Sequence, residues 1–244
     1  MPDHARYRQQ ARWTESLRSY LFDKTGWASA RRVLDLGCGT GALLEALTAH
    51  QAPTCHGVDL SLEALEQAGR LAPRARLLCA DGAALPYPAA TFDLAFCHFV
   101  LLWVADPRAV LAEMRRVTRP GGAVLALAEP DYGGRIDAPE SLAALGRWQA
   151  SALRERGADP QIGRKLAGLF ARAGLHSVET GVLGGEWSHS TPGEWEQEWA
   201  VLEADLAGKV PLGDLHKLKA LEAEARQRGE RVLFVPTFFA WGRV

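Results

Sequence analysis

Between residues 33 and 129 the chain switches repeatedly between short apolar runs and segments of helical period. Residues 33–36, the runs CHGVDL and RARLLCA, then TFDLAFCHF and AVLALAE, read as five short, mostly buried strands. Helices fall between them. Residues 41–50 place Leu43, Leu44 and Leu47 on one face, and Ser61 caps a helix running to Gly69. Asp106 and Pro107 suit the N-cap and first turn of another. Its apolar stripe is Val110, Leu111, Met114 and Val117, and Pro120-Gly121-Gly122 is its expected stop. Strand and helix alternating in this way predict an α/β fold with a doubly wound, mostly parallel sheet and helices on both faces. Ligands of such sheets bind beyond the carboxyl ends of the strands. The positions to inspect are therefore the loop after residue 36, Asp59, Asp81, Cys97 with His98, and residues 129–132.

The first of these loops is LDLGCGTG, with Gly37, Gly39 and Gly41 at alternate positions. A strand that turns at once into a helix needs backbone angles that side chains resist, and glycine adopts them at little cost. Missing side chains also let a ligand approach the amides that converge at a helix start. The loop therefore marks a nucleotide-like ligand. Its spacing, G-x-G-x-G, departs from the G-x-G-x-x-G of dinucleotide sites, which leaves a nicotinamide-dependent oxidoreductase as a disfavoured alternative.

LDLGCGTG resembles the first motif of the class I S-adenosylmethionine-dependent methyltransferases, and three further segments follow in that family's order. GVDLS is similar to the second motif, CADGAALPYPAATFDLAF to the adenine-binding segment and fourth strand, and RVTRPGGAVLALAE to the approach to strand five. Within the family, the small-molecule (type 11) branch that includes the quinone-biosynthesis C-methyltransferases is the most similar. The resemblance implies a Rossmann-like seven-stranded sheet with the last strand antiparallel and helical cap insertions at residues 136–157 and 191–229. It implies one domain over residues 1–244: a helical lid at 1–30, a cofactor-binding core at 31–130 and a variable substrate-side half at 131–244. The implied cofactor is S-adenosyl-L-methionine, leaving as S-adenosyl-L-homocysteine. Asp35, Gly37, Cys38, Gly39, Thr40 and Gly41 would hold its methionine end, Asp59 its ribose, and Asp81 and Gly82 its adenine, with Ala80 alongside. Leu60 and Leu85 would flank the ring, Cys97 and His98 would lie near the methyl, and Tyr7, Arg12 and Trp13 would close over the whole.

The acceptor is less constrained. The family's amine-methylating nucleic-acid enzymes carry an Asn/Asp-Pro-Pro-aromatic segment after strand four, where this chain reads FCHFVLLW; no Pro-Cys of the cytosine C5 enzymes occurs. A net charge of -1 without basic blocks agrees that nucleic acid is not the partner. A small, partly apolar molecule is expected, accepting the methyl on O, N or C. His98 is the candidate general base, or else packs on the cofactor or hydrogen-bonds substrate. Trp103, Asp131, Tyr132, Trp195 and Trp199 are candidate acceptor contacts, with Phe238, Phe239 and Trp241 on the last strand. Trp195, Trp199, Leu202 and Leu206 share one helical face, which either packs on the sheet or caps the acceptor. A non-catalytic cofactor-binding regulatory module is the alternative from another class. Cys38, Cys55, Cys79 and Cys97 form no C-x-x-C pair, so no metal site is expected. The polar N-terminus lacks a signal peptide's apolar core and no apolar run would span a membrane. The expectation is a cytoplasmic monomer or homodimer.

Overall fold

The computed structural model describes residues 4–49, 53–183 and 192–244. Its core is a sheet in which β1 (Arg32–Leu36) lies between β2 (Thr54–Asp59) and β4 (Phe92–Cys97). β3 (Arg76–Cys79) extends it on one side, and β5 (Thr118–Pro130), β9 (Thr237–Arg243) and β7 (His176–Leu183) on the other. The strand order is β3-β2-β1-β4-β5-β9-β7. β1 to β5 pair in parallel, while β9 runs antiparallel to both β5 and β7, as expected for the last strand.

Successive residues of the central strands feed opposite layers, as the pleat requires. Leu34, Ala95, Val124 and Ala126 pack with Leu111 and Met114 of α5 (Pro107–Val117) and with Leu169 and Phe170 of α7 (Leu166–Arg172). Val33, Leu94, Phe96 and Leu125 pack with Leu21 and Phe22 of α2 (Glu15–Thr25), Leu43 and Leu44 of α3 (Ala42–Leu47) and Leu65 of α4 (Leu62–Leu71). The caps form where the sequence places them. Ala64 N–H donates to Ser61 Oγ at 3.2 Å, and Arg108 N–H and Ala109 N–H donate to Asp106 Oδ1 at 2.9 and 3.1 Å.

Three boundaries differ from the sequence expectation. The N-terminal helix breaks at Thr14 into α1 (His4–Trp13) and α2, and the Thr14 hydroxyl turns back onto the carbonyls of Gln10 and Ala11. α5 stops at Val117, and Thr118–Gly122 already belong to β5 across a bulge opposite residues 92–94. The final run is two strands, because Pro236 has no N–H to continue a ladder. Its first part, β8 (Val232–Phe234), pairs instead with β6 (Ile136–Ala138) in a separate two-stranded sheet.

β6, β8, α6 (Ala143–Glu155), α8 (Pro192–Leu206) and α9 (Leu212–Gln227) make the insertion. The stripe of Trp199, Leu202 and Leu206 packs on Leu142, Leu145, Ala152 and Leu215 of this layer, so it does not pack on the main sheet. The capping box read at Thr191, Pro192 and Glu194 lies outside the described residues, Thr191 altogether and the other two in their side chains. Phe238, Phe239 and Trp241 are partly or fully buried against the sheet cores rather than in the insertion. A buried ionic chain ties the insertion together: Arg135 bridges to Asp137, Asp137 to Arg231, and Arg231 to Glu222, with Arg231, Asp137 and Glu222 side chains 4%, 3% and 5% exposed.

Arg231→Met leaves two buried carboxylates short of a partner and should lower stability by about 3–5 kcal/mol. Arg228→Met, which removes exposed pairs with Glu224 and Glu230, should leave the urea midpoint nearly unchanged. Equal midpoint shifts in the two variants would show that the buried chain is not what holds the insertion.

Candidate functional site

The glycine loop emerges from β1 with its amides anchored on the next strand. Gly37 N–H and Cys38 N–H both donate to Val58 O, at 2.7 and 3.1 Å. Gly37 has φ +72°, and a Cβ there would lie 2.4 Å from Val100 Cγ2. Gly39 has φ +51° and sits under the Tyr7 ring, 3.3 Å from where its Cβ would be. Gly41, the N-cap of α3, completes the turn. The sequence thus needs glycine here both for left-handed backbone and for the close approach of two other segments.

At the end of β2, Asp59 is held by backbone donors. Gly39 N–H reaches Oδ2 at 2.8 Å and Ser61 N–H reaches Oδ1 at 2.9 Å. Each oxygen keeps a lone pair for a further donor. Ala80 N–H donates to Asp59 O at 3.1 Å, joining the ends of β2 and β3. Asp81 is exposed and takes one amide, Ala83 N–H, at 2.8 Å on Oδ1. Gly82 is half-buried beside it, and Leu60 is 71% exposed on the same rim. Leu85, read as the opposite flank of a ring, is instead buried in the core below.

Asp35 is buried, and its Oδ2 has no hydrogen-bond partner among the described residues. Burial and the neighbouring Asp59 push its carboxyl well above the usual carboxylate range, against the pull of Arg18. Burial likewise pushes the thiols of Cys38 and Cys97 up, so both stay protonated.

α1 roofs the glycine loop. His4 Nδ1 lies 2.8 Å from Thr40 Oγ1, and Tyr7 covers Gly39. His98, at the end of β4, meets the break behind this helix: its Nε2 lies 2.9 Å from Thr14 Oγ1, which also accepts from Arg18 Nη1 at 3.3 Å. Burial, then the Arg18 charge, push the His98 ring down to about 3. Such a ring is neutral but a weak base near pH 7. It faces Thr14 and is not part of the cavity wall described next.

A cavity of about 480 Å³ opens between α1, the carboxyl ends of β4 and β5, and the insertion. Phe99, Pro130, Tyr132, Trp199 and Leu202 supply apolar wall, and Arg6, Arg135, Glu198 and Glu222 supply charge. Phe99 has φ +56°, an uncommon strain for an aromatic residue and one that tends to persist at functional sites. Of the acceptor candidates, Tyr132 and Trp199 line this cavity. Trp199 also donates Nε1–H to Glu222 Oε2 at 2.9 Å. The others do not reach it. Trp103 is exposed, stacked under Arg156 at 5.1 Å. Trp195 packs against the insertion's apolar cluster, beside Lys219 and Arg226, and is not in the cavity wall. Asp131 is locked by Arg164 and by Gly133 N–H at 2.9 Å, shaping the turn that presents Tyr132. Of the lid candidates, Trp13 lines this cavity instead, under the Arg6 guanidinium at 4.8 Å, and Arg12 is exposed and outside its wall.

Three contributors, Thr14, Gln9 and Arg135, were missed in the sequence, and a fourth, Glu129, lay in the 129–132 stretch marked for inspection but was given no role. Glu129, fully buried at the end of the apolar run AVLALAE, accepts Val100 N–H and Leu101 N–H at 2.9 Å and Leu102 N–H at 3.2 Å. Burial nevertheless pushes its carboxyl up to about 7. An acid ending an all-apolar strand was the available signal. Thr14, Gln9 and Arg135 carry no such signal, since their roles depend on how separate segments meet.

Residues 34–126 match the family model of a methyltransferase domain. The malonyl-[acyl-carrier protein] O-methyltransferase of Halorhodospira halophila is 46% identical over 99 residues, 39% of this chain and 34% of that protein. An uncharacterized 37.1 kDa protein in transposon Tn4556 of Streptomyces fradiae is 37% identical over 186 residues, 72% of this chain and 53% of that one. The chain thus spans between a third and about half of these relatives' lengths. Among solved structures, phosphoethanolamine N-methyltransferase 2 of Haemonchus contortus, in complex with S-adenosyl-L-methionine, superposes with a TM-score of 0.61 at 16% identity. That match covers 94% of this chain and 52% of the other, and it speaks for the fold alone. Residues 34–126 thus match a methyltransferase domain, and the glycine loop and strand order around them are those expected of the class I S-adenosylmethionine-dependent methyltransferases.

Proposed function

We propose that this chain transfers a methyl group from S-adenosyl-L-methionine to an O, N or C atom of a small, partly apolar molecule. One observation carries the reading: donor-type and acceptor-type sites lie on either side of the same helix, α1, at the carboxyl edge of the sheet. In this reading residues 1–30 act as the lid, 31–130 hold the donor and 131–244 shape the acceptor side of one unit. The four free thiols suit a reducing compartment, in keeping with a cytoplasmic enzyme.

The residues present fit the donor. Asp35 Oδ2, buried and without a partner, suits an ammonium. Asp59 retains one lone pair on each oxygen for two ribose hydroxyls, Asp81 and Gly82 suit an adenine edge, and Leu60 offers an exposed apolar face. Bound there, the cofactor supplies an electrophilic methyl on a sulfonium. The chain's task is then alignment and exclusion of water, for which the roof of Tyr7 and the wall of Phe99 serve. His98 acts as a neutral positioning group that fixes Thr14 and the lid hinge. A regulatory module that only sensed the cofactor would have no use for the adjoining cavity.

Calorimetry should show S-adenosyl-L-methionine binding more tightly than NAD. Asp59→Ala should weaken it by about 2–4 kcal/mol, allowing roughly 1.5–3 for each charge-assisted bond and some non-additivity. NAD binding the more tightly would sink the methyltransferase reading, and unchanged affinity in the variant would remove Asp59 from the site.

The His98 ring, held at about 3 in the fold, charges near 6.5 when unfolded. Its contribution to stability is therefore complete above about pH 6.5 and is lost as the pH falls toward 3. His98→Asn should lose less melting temperature than the parent between those limits. An acid limb near pH 6.5 in methyl transfer, abolished by the same substitution, would restore His98 as a base.

A further inference from the structure

The cavity wall is richer in hydrogen-bond donors than an apolar acceptor requires. Arginine can only donate, so an amide facing it must present its oxygen. Arg6 Nη1 donates to Gln9 Oε1 at 2.8 Å, which turns the Gln9 NH₂ away. Gln9 is fully buried at the cavity wall, and its Nε2 has no partner among the described residues. Arg135 does the same to Gln149, donating to its Oε1 at 2.5 Å. Tyr132 also lines the wall; burial pushes its phenol up, against the pull of Arg6 and Arg135, so the hydroxyl stays protonated and can donate.

The balance of charge agrees. Among the described residues four arginines and two glutamates line the cavity, and Asp137 bridges two of those arginines, Arg135 and Arg231. Glu222 is already matched by Arg226, Arg231 and Trp199. Glu198 lies 3.8 Å from Arg226, and burial pushes its carboxyl up, toward the neutral form.

We infer that the acceptor is a small carboxylic acid, and that Gln9, Tyr132 and the Arg6 and Arg135 guanidiniums hold its carboxylate while Phe99, Trp199 and Leu202 enclose its apolar part. Planar donors in pairs suit a carboxylate, and a cavity of about 480 Å³ accommodates an acid of modest size. The inference rests on the methyltransferase reading and deepens it.

The test is calorimetry on the complex with S-adenosyl-L-homocysteine, using phenylacetate, cinnamate and octanoate and the primary amide of each. At least one acid should bind about tenfold or more tightly than its amide, the scale of a lost charge-assisted contact. Gln9→Leu and Tyr132→Phe should each erase most of that preference and leave S-adenosyl-L-homocysteine affinity unchanged, which also reports that the variants fold. Amides binding as well as acids, an acid preference that survives both substitutions, or no acid binding at all would overturn the inference while leaving the donor site intact. Failure of S-adenosyl-L-homocysteine to bind would overturn the donor reading itself, and this inference with it.

Discussion

Three backbone amides converge on one buried carboxylate at the end of β5. Glu129 receives the N–H groups of Val100, Leu101 and Leu102, none of which has a strand to pair with. A carboxylate is expensive to bury unless donors surround it, and an unpaired amide is expensive as well. Each solves the other's problem. The loop so pinned contains His98, which holds the break between α1 and α2, Phe99, which walls the cavity, and Val100, which fills the space left by Gly37. The glycine loop, the α1–α2 break and the cavity wall are thereby registered to a single point.

The insertion obeys a different economy from the sheet. The sheet layers are almost wholly aliphatic and aromatic. The insertion has a small apolar cluster of its own and is closed by alternating arginines and carboxylates. Removing one partner from such a chain strands the next, so the chain favours one arrangement of α6, α9 and the β6–β8 pair strongly. Trp199 belongs to both systems: its ring is in the cluster and its N–H is on Glu222.

What was legible in the sequence was whatever local chemistry decides. Ser61 and Asp106 cap as read, because a cap needs only its own next few amides. The central strands read correctly because burial on both faces leaves few polar positions, Asp35 of β1 being one of them. The positions of Asp59 and Asp81, at the end of β2 and just after β3, could be read because the fold's topology assigns a place to strand-end residues. The misses are non-local. Thr14 breaks the first helix where its hydroxyl also meets His98, 84 residues away. Pro236 sits inside RVLFVPTFFAWGR, which reads in sequence as one last strand, and nothing nearby said that residues 232–234 would pair with residues 136–138. Trp103 and Trp195 looked like pocket residues by type, but guanidinium or ammonium groups cover them outside the cavity. Gln9 was invisible for the opposite reason: glutamine in a polar helix carries no signal until Arg6 fixes which way its amide turns.

One consequence follows from the ten residues of α1. His4 and Tyr7 rest on the glycine loop, while Arg6, Gln9 and Trp13 form the cavity wall. A single short helix is thus a shared boundary between the glycine loop and the cavity. In the reading proposed above, a ligand on one face of α1 would meet a helix whose other face serves the second ligand. Any linkage between the two would be reciprocal, each changing the other's affinity by the same factor. A replacement on α1 would then be read in that shared factor, with the affinity for each ligand alone as the reference.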